Sequence, residues 1–117
     1  MRIPALATTV FLALTGAQAA YAHAFLDHAE PRVGSTVPSA PKEVVLVFTQ
    51  KVEAAFSSVE VSDANGARVD QGKPQVSATT MRISLKPLPP GTYKVHWQIL
   101  SVDTHTTEGN FAFQVGK

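Results

Sequence analysis

Four histidines and no cysteine set the limits on the chemistry open to this 117-residue chain. Without thiols it can build no zinc finger, iron–sulfur centre or blue-copper site. Imidazole and carboxylate remain as metal donors, and two places hold them in a meaningful pattern. The first is His23. Ala20-Tyr21-Ala22 stands before it, the small-x-small pattern that signal peptidase needs. Upstream lie one positive charge, Arg2, and an apolar run centred on Val10, Phe11, Leu12, Ala13 and Leu14. Residues 1–22 therefore read as a secretory leader, cut between Ala22 and His23. The run is too short and too interrupted for a membrane-spanning helix of about 20 residues. Cleavage would make His23 the first residue of a domain spanning 23–117. Its α-amino nitrogen and its Nδ1 can then close one chelate ring around a metal.

The second place is Ser101-Val102-Asp103-Thr104-His105. Asp103 and His105 are two apart, so an extended backbone projects both from one face. With His23 they would supply three nitrogens and one carboxylate. Copper(II) prefers tetragonal sites of nitrogen and oxygen and stands at the top of the divalent affinity order. A histidine after a leader arises by chance, and Asp-x-His is ordinary in loops; it is their combination on a small exported chain that points to copper. The linear sequence does not bring the chain start and the loop together in space.

Other candidates read more plainly. His28, near the start, and His96, opposite the Trp97 face of a strand, are expected to be solvated or hydrogen-bonded. Glu108 reads as a solvated loop carboxylate. Met81, the one methionine after the leader, reads as a sheet or core residue rather than a ligand.

The elements that must position these groups are strands. No stretch after residue 22 keeps an i, i+3, i+4, i+7 apolar stripe. Ala24 to His28 reads as a first strand, and Val44 to Phe48 as a buried one. Val59 to Val61 alternates and is followed by the turn Asp63-Ala64-Asn65-Gly66. A short strand is expected at Val69, and Met81 to Leu85 alternates cleanly. In the clearest strand Tyr93, Val95, Trp97 and Ile99 point one way, and Lys94, His96 and Gln98 the other. Asp103 to Asn110 is polar and reads as a loop, and Phe111, Phe113 and Val115 alternate in a final strand. About seven short strands with such turns predict an all-β, immunoglobulin-like sandwich with Phe48, Val95, Trp97, Phe111 and Phe113 in its core.

Composition narrows the function classes. Arg2 is the only charge in the leader, so the rest of the chain is close to neutral, with no basic patch for nucleic acid. Export without disulfides leaves packing alone to hold the domain, and fits the bacterial periplasm.

His23-Ala24-Phe25-Leu26, Ala29-Glu30-Pro31, Gly34-Ser35 and the tail from Gly91 to Val115 resemble the CopC family of periplasmic copper-resistance proteins. The most specific part is Tyr93-Lys94-Val95-His96-Trp97 with Ser101-Val102-Asp103-Thr104-His105. The resemblance implies a Greek-key β-sandwich or barrel with a copper(II) site at one end, and His23, Asp103 and His105 match the family's ligand positions. It also implies a copper carrier or buffer with a CopD-type inner-membrane copper transporter as partner, and the chain is expected to be a monomer. Two departures stand out. The methionine-rich loop that some members use for copper(I) is absent, which suits a copper(II)-only type. Thr49-Gln50 stands where many relatives carry a carboxylate.

Two other readings compete. Lytic polysaccharide monooxygenases also use an N-terminal histidine brace on a β-sandwich, but no row of aromatics outside the presumed core is available here to stack on sugars. An Asp103 carboxylate would also occupy a position that oxygen needs. A metal-free structural module is the third reading, since fold alone does not decide function.

Overall fold

The computed structural model describes residues 25–116. Eight strands follow one another: β1 (Leu26–Glu30), β2 (Thr36–Val37), β3 (Glu43–Phe48), β4 (Ser58–Asp63), β5 (Asp70–Ser77), β6 (Thr80–Leu85), β7 (Gly91–Leu100) and β8 (Thr106–Val115). A single 3-10 turn, Ala54–Phe56, interrupts the link between β3 and β4. The strands form two four-stranded sheets, ordered β1-β3-β6-β5 and β2-β8-β7-β4. Every pairing is antiparallel except that of the two-residue β2 with the end of β8. The chain is thus the expected all-β sandwich, with the short β2 added to the seven strands anticipated.

Alternation explains which side chains meet between the sheets. Val44, Leu46 and Phe48 of β3 and Met81, Ile83 and Leu85 of β6 are buried from one side. Tyr93, Val95, Trp97 and Ile99 of β7, with Phe111, Phe113 and Val115 of β8, are buried from the other. The aromatic residues lock the layers. Phe48 meets Trp97 edge-on with ring centroids 5.0 Å apart, and Tyr93 stacks on Phe113 at 5.7 Å. The Tyr93 hydroxyl donates back to the Pro89 carbonyl, so its one polar atom is satisfied as the ring is buried. Met81 is fully buried, as its place in an alternating strand predicted.

Several boundaries differ from the sequence reading. The polar run from Asp103 to Asn110 is mostly strand, because β8 already begins at Thr106 and pairs with β7 from Leu100 onward. Its outer flank is open until Gly34 bonds to Ala112 and β2 joins at Gln114, so polar side chains there cost little burial. The short strand expected at Val69 is the eight-residue β5, starting one residue later. This strand lies at a sheet edge and carries Gly72 at positive φ, Pro74 and a register irregularity. Edge position is what makes Pro and a polar composition tolerable in a strand. The first strand runs from Leu26 to Glu30, two residues later than expected, with a bulge after Leu26.

Candidate metal centre

β7 and β8 are joined at one end of the sandwich by the loop Ser101–His105. The loop is a tight hairpin and not the extended segment the spacing suggested. Ser101 N–H donates to the His105 carbonyl at 3.0 Å, and Thr104 N–H donates to the Ser101 carbonyl at 2.8 Å. Thr104 sits at φ +70, the left-handed residue that closes a three-residue hairpin loop. The turn nevertheless brings the two predicted donors together. Asp103 Oδ1 lies 3.4 Å from His105 Nδ1, with both side chains partly exposed.

The carboxylate is held from below. Ser101 is fully buried, and its hydroxyl donates to Asp103 Oδ1. The His105 amide also donates to Oδ1, at 3.3 Å. The Ser101 hydroxyl first, and more weakly the His105 amide and ring, hold the Asp103 carboxyl below the usual carboxylate range, against desolvation, which raises it and is second in size to the Ser101 bond. A fixed negative charge therefore sits beside an imidazole at a solvent-facing corner. Sequence reasoning passed over Ser101, although a signal existed. The inward-facing series Tyr93, Val95, Trp97, Ile99 continues by twos to residue 101, a polar residue on a core rung.

His23 lies outside the described residues. The described chain begins at Phe25, whose N–H donates to Thr49 Oγ1 at 2.9 Å while Thr49 N–H donates to the Phe25 carbonyl at 2.9 Å. The segment after Thr49 crosses to the second sheet directly beneath the loop. Val102 N–H donates to the Lys51 carbonyl at 3.1 Å, Val52 pairs with Ser101, and Glu53 N–H donates to the Leu100 carbonyl at 2.8 Å. Phe25, this crossover and the loop thus share one end of the molecule. Two residues span at most about 7 Å of extended chain, which is the separation in sequence between Phe25 and His23.

The other candidates lie apart. His28, exposed on β1, pairs with Asp27 at 2.7 Å. His96 lies on the outer face of β7, with Nδ1 2.8 Å from Asn110 Oδ1 and Nε2 3.7 Å from Glu108 Oε1. His96 pairs with Asn110, four rungs from the Leu100–Thr106 end of the hairpin, so this cluster is roughly 13 Å away along the strands. Thr49 takes up the chain start, as described. Among the described residues, no three His, Asp or Glu side chains converge to hold a metal; Asp103 and His105 are a pair.

Residues 26–116 match the model of the CopC domain. The chain belongs to the CopC family. It is 34% identical to the copper transport protein CutJ of Bacillus subtilis over 83% of its own length, and spans about a fifth (19%) of that longer relative. Among solved structures, CopC from Methylosinus trichosporium OB3b superimposes with a TM-score of 0.76 at 32% identity, covering 80% of this chain and 94% of that one. PcoC of Escherichia coli, described as a methionine-rich copper resistance protein, superimposes with a TM-score of 0.71 at 31% identity, covering 80% and 98%. CopC membership places the chain among copper-resistance and copper-transport proteins and not among oxidative enzymes, which sets the monooxygenase reading aside. Methionine content separates this CopC protein from its methionine-rich relative, since two methionines stand in the whole chain and Met81 is in the core.

Proposed function

We propose that this CopC protein is a periplasmic copper(II) carrier or buffer that takes up the ion at the loop end of its sandwich, through His23, Asp103 and His105. The observation that carries the reading is the meeting of an imidazole and an ionised carboxylate on the corner beside which Phe25 ties the start of the chain. Removal of residues 1–22 would leave the domain 23–117 with a free amine on His23. The amine and Nδ1 of His23 would chelate the ion, His105 would add a third nitrogen, and Asp103 an oxygen. His105 would bind through a ring nitrogen, and the Asp103 carboxylate, whose Oδ1 is 3.4 Å from Nδ1, is close enough to share the ion with that ring. Such a set of nitrogen and oxygen donors without thioethers suits copper(II) better than copper(I). The protein would work as a monomer and exchange copper with a CopD-type inner-membrane transporter. CutJ, in which the matching region is a fifth of a copper transport protein, supports that pairing.

The test compares the chain beginning at His23 with one carrying a single extra residue before it. Competition titration should give one tightly bound copper(II) for the first and much weaker binding for the second. Electron paramagnetic resonance should show nitrogen couplings that diminish in His105→Ala. Equal affinity in the two forms would refute the N-terminal chelate.

A further inference from the structure

Ser101 is the one buried polar residue among those described, with no exposed surface. It occupies an inward-facing rung at the end of β7, where alanine would fit the alternation without any polar cost. A hydroxyl taken from water costs free energy unless it is bonded, so its partner explains its presence. The hairpin does not need it. The turn is closed by backbone alone, through Ser101 N–H to the His105 carbonyl and Thr104 N–H to the Ser101 carbonyl. Pairing with Val52 fixes the residue from below.

The hydroxyl has two acceptors in range, Asp103 Oδ1 and, at 3.2 Å, the His105 carbonyl. The charged and nearer acceptor takes its single proton. Oδ1 then meets two donors, the Ser101 hydroxyl and the His105 amide at 3.3 Å, with His105 Nδ1 3.4 Å away. Oδ2 makes no hydrogen bond to any described residue. The two oxygens of one carboxylate have thus been given different tasks.

We propose that Ser101 is a positioning residue for copper: by engaging Oδ1 of Asp103 from the core, it makes Asp103 a ligand through Oδ2 alone. This rests on the copper(II) reading above. A carboxylate free to rotate can chelate through both oxygens or swing into solvent. One pinned by a buried hydroxyl meets the ion with a single oxygen in a preset direction. The anchor is rigid because it belongs to the core side of β7 and not to the exposed loop.

The experiment uses the chain beginning at His23, with Ser101→Ala, Asp103→Ala and the double variant. Loss of an outer partner that orients a ligand typically costs about 10–100-fold in metal affinity. Ser101→Ala should weaken copper(II) binding by about tenfold and change the paramagnetic resonance spectrum. In the Asp103→Ala background the same change should have almost no further effect, because a residue acting through Asp103 has nothing left to act on. Ser101→Thr, which keeps the hydroxyl, should restore affinity. A readout without metal accompanies these: the carboxyl carbon-13 resonance of Asp103 in the apo protein should move in Ser101→Ala. Wild-type affinity in Ser101→Ala, or an equal loss with and without Asp103, would overturn the proposal. So would an unmoved Asp103 resonance. Failure of the unsubstituted chain to bind copper(II) would instead defeat the reading on which it rests, while a moved apo resonance would still uphold the Ser101–Asp103 contact.

Discussion

Gly109→Ala should destabilise the sandwich through one tryptophan. Gly109 on β8 pairs with Trp97 on β7. A methyl carbon at Gly109 would stand 2.6 Å from Trp97 Cζ2 and 2.9 Å from Cε2. Carbon atoms in comfortable contact are about 3.5–4.0 Å apart, so the ring must retreat by about 1 Å. It has little room, because its other side meets Phe48 at 5.0 Å between centroids and it is only 6% exposed. Overpacking of this kind costs about 1–3 kcal/mol. Taking about 2 kcal/mol and about 4–8 °C per kcal/mol for a domain of this size, the melting temperature of the apo protein should fall by about 8–16 °C. Thermal denaturation followed by circular dichroism measures the fall. Fluorescence reports the cause, since Trp97 is the only tryptophan and its emission should shift to the red. An unchanged melting temperature with unshifted emission would show that the indole does not lie over Gly109, and the account of β7–β8 packing would be wrong.

Thr104→Gly should stabilise the apo protein by about 1 kcal/mol in urea denaturation, because a β-branched residue at φ +70 is strained and glycine is not, less the greater entropy glycine loses on folding; a fall in stability would contradict the hairpin geometry. Asp70→Asn should cost about 1–2 kcal/mol at neutral pH. Burial raises the Asp70 pKa, but its hydrogen bonds to Arg68 and the Val61 amide, with the Arg68 charge, outweigh this and leave it lowered. The stability it contributes is present above the unfolded carboxylate pKa of about 3.9 and is lost as pH falls through the folded value. The difference between Asp70→Asn and the parent should therefore close in strong acid, and a gap that persists there would rule out this cause. Copper(II) affinity should fall in acid, since the donor nitrogens must be free of protons to bind; His105→Ala should lower it at every pH, while His28→Ala and His96→Ala should leave isothermal titrations nearly unchanged.

Amino-acid types and their period were enough to establish the class of fold and to limit the class of chemistry. Alternation from Tyr93 to Ile99 and from Phe111 to Val115 assigned the inner faces correctly because burial of one sheet face leaves a direct mark on every second residue. Histidine without cysteine narrowed the metal chemistry before any geometry was known. The edges were less legible. β5, with its Gly72 and Pro74, and the first half of β8 carry no burial signal, because an edge or open flank asks little of the side chains there. What the tertiary structure alone decided is the corner itself. Asp103 reaches His105 through a left-handed Thr104 in place of an extended run. Phe25 is tied to Thr49, and Lys51 to Val102, across separations that no local pattern encodes. Ser101 becomes a hold on the carboxylate only once the core rung it occupies faces the loop it supports. Local periodicity reflects which side of a strand is dry; which loops and chain ends share a corner follows from how two sheets pair and stack, and that is a property of the whole chain.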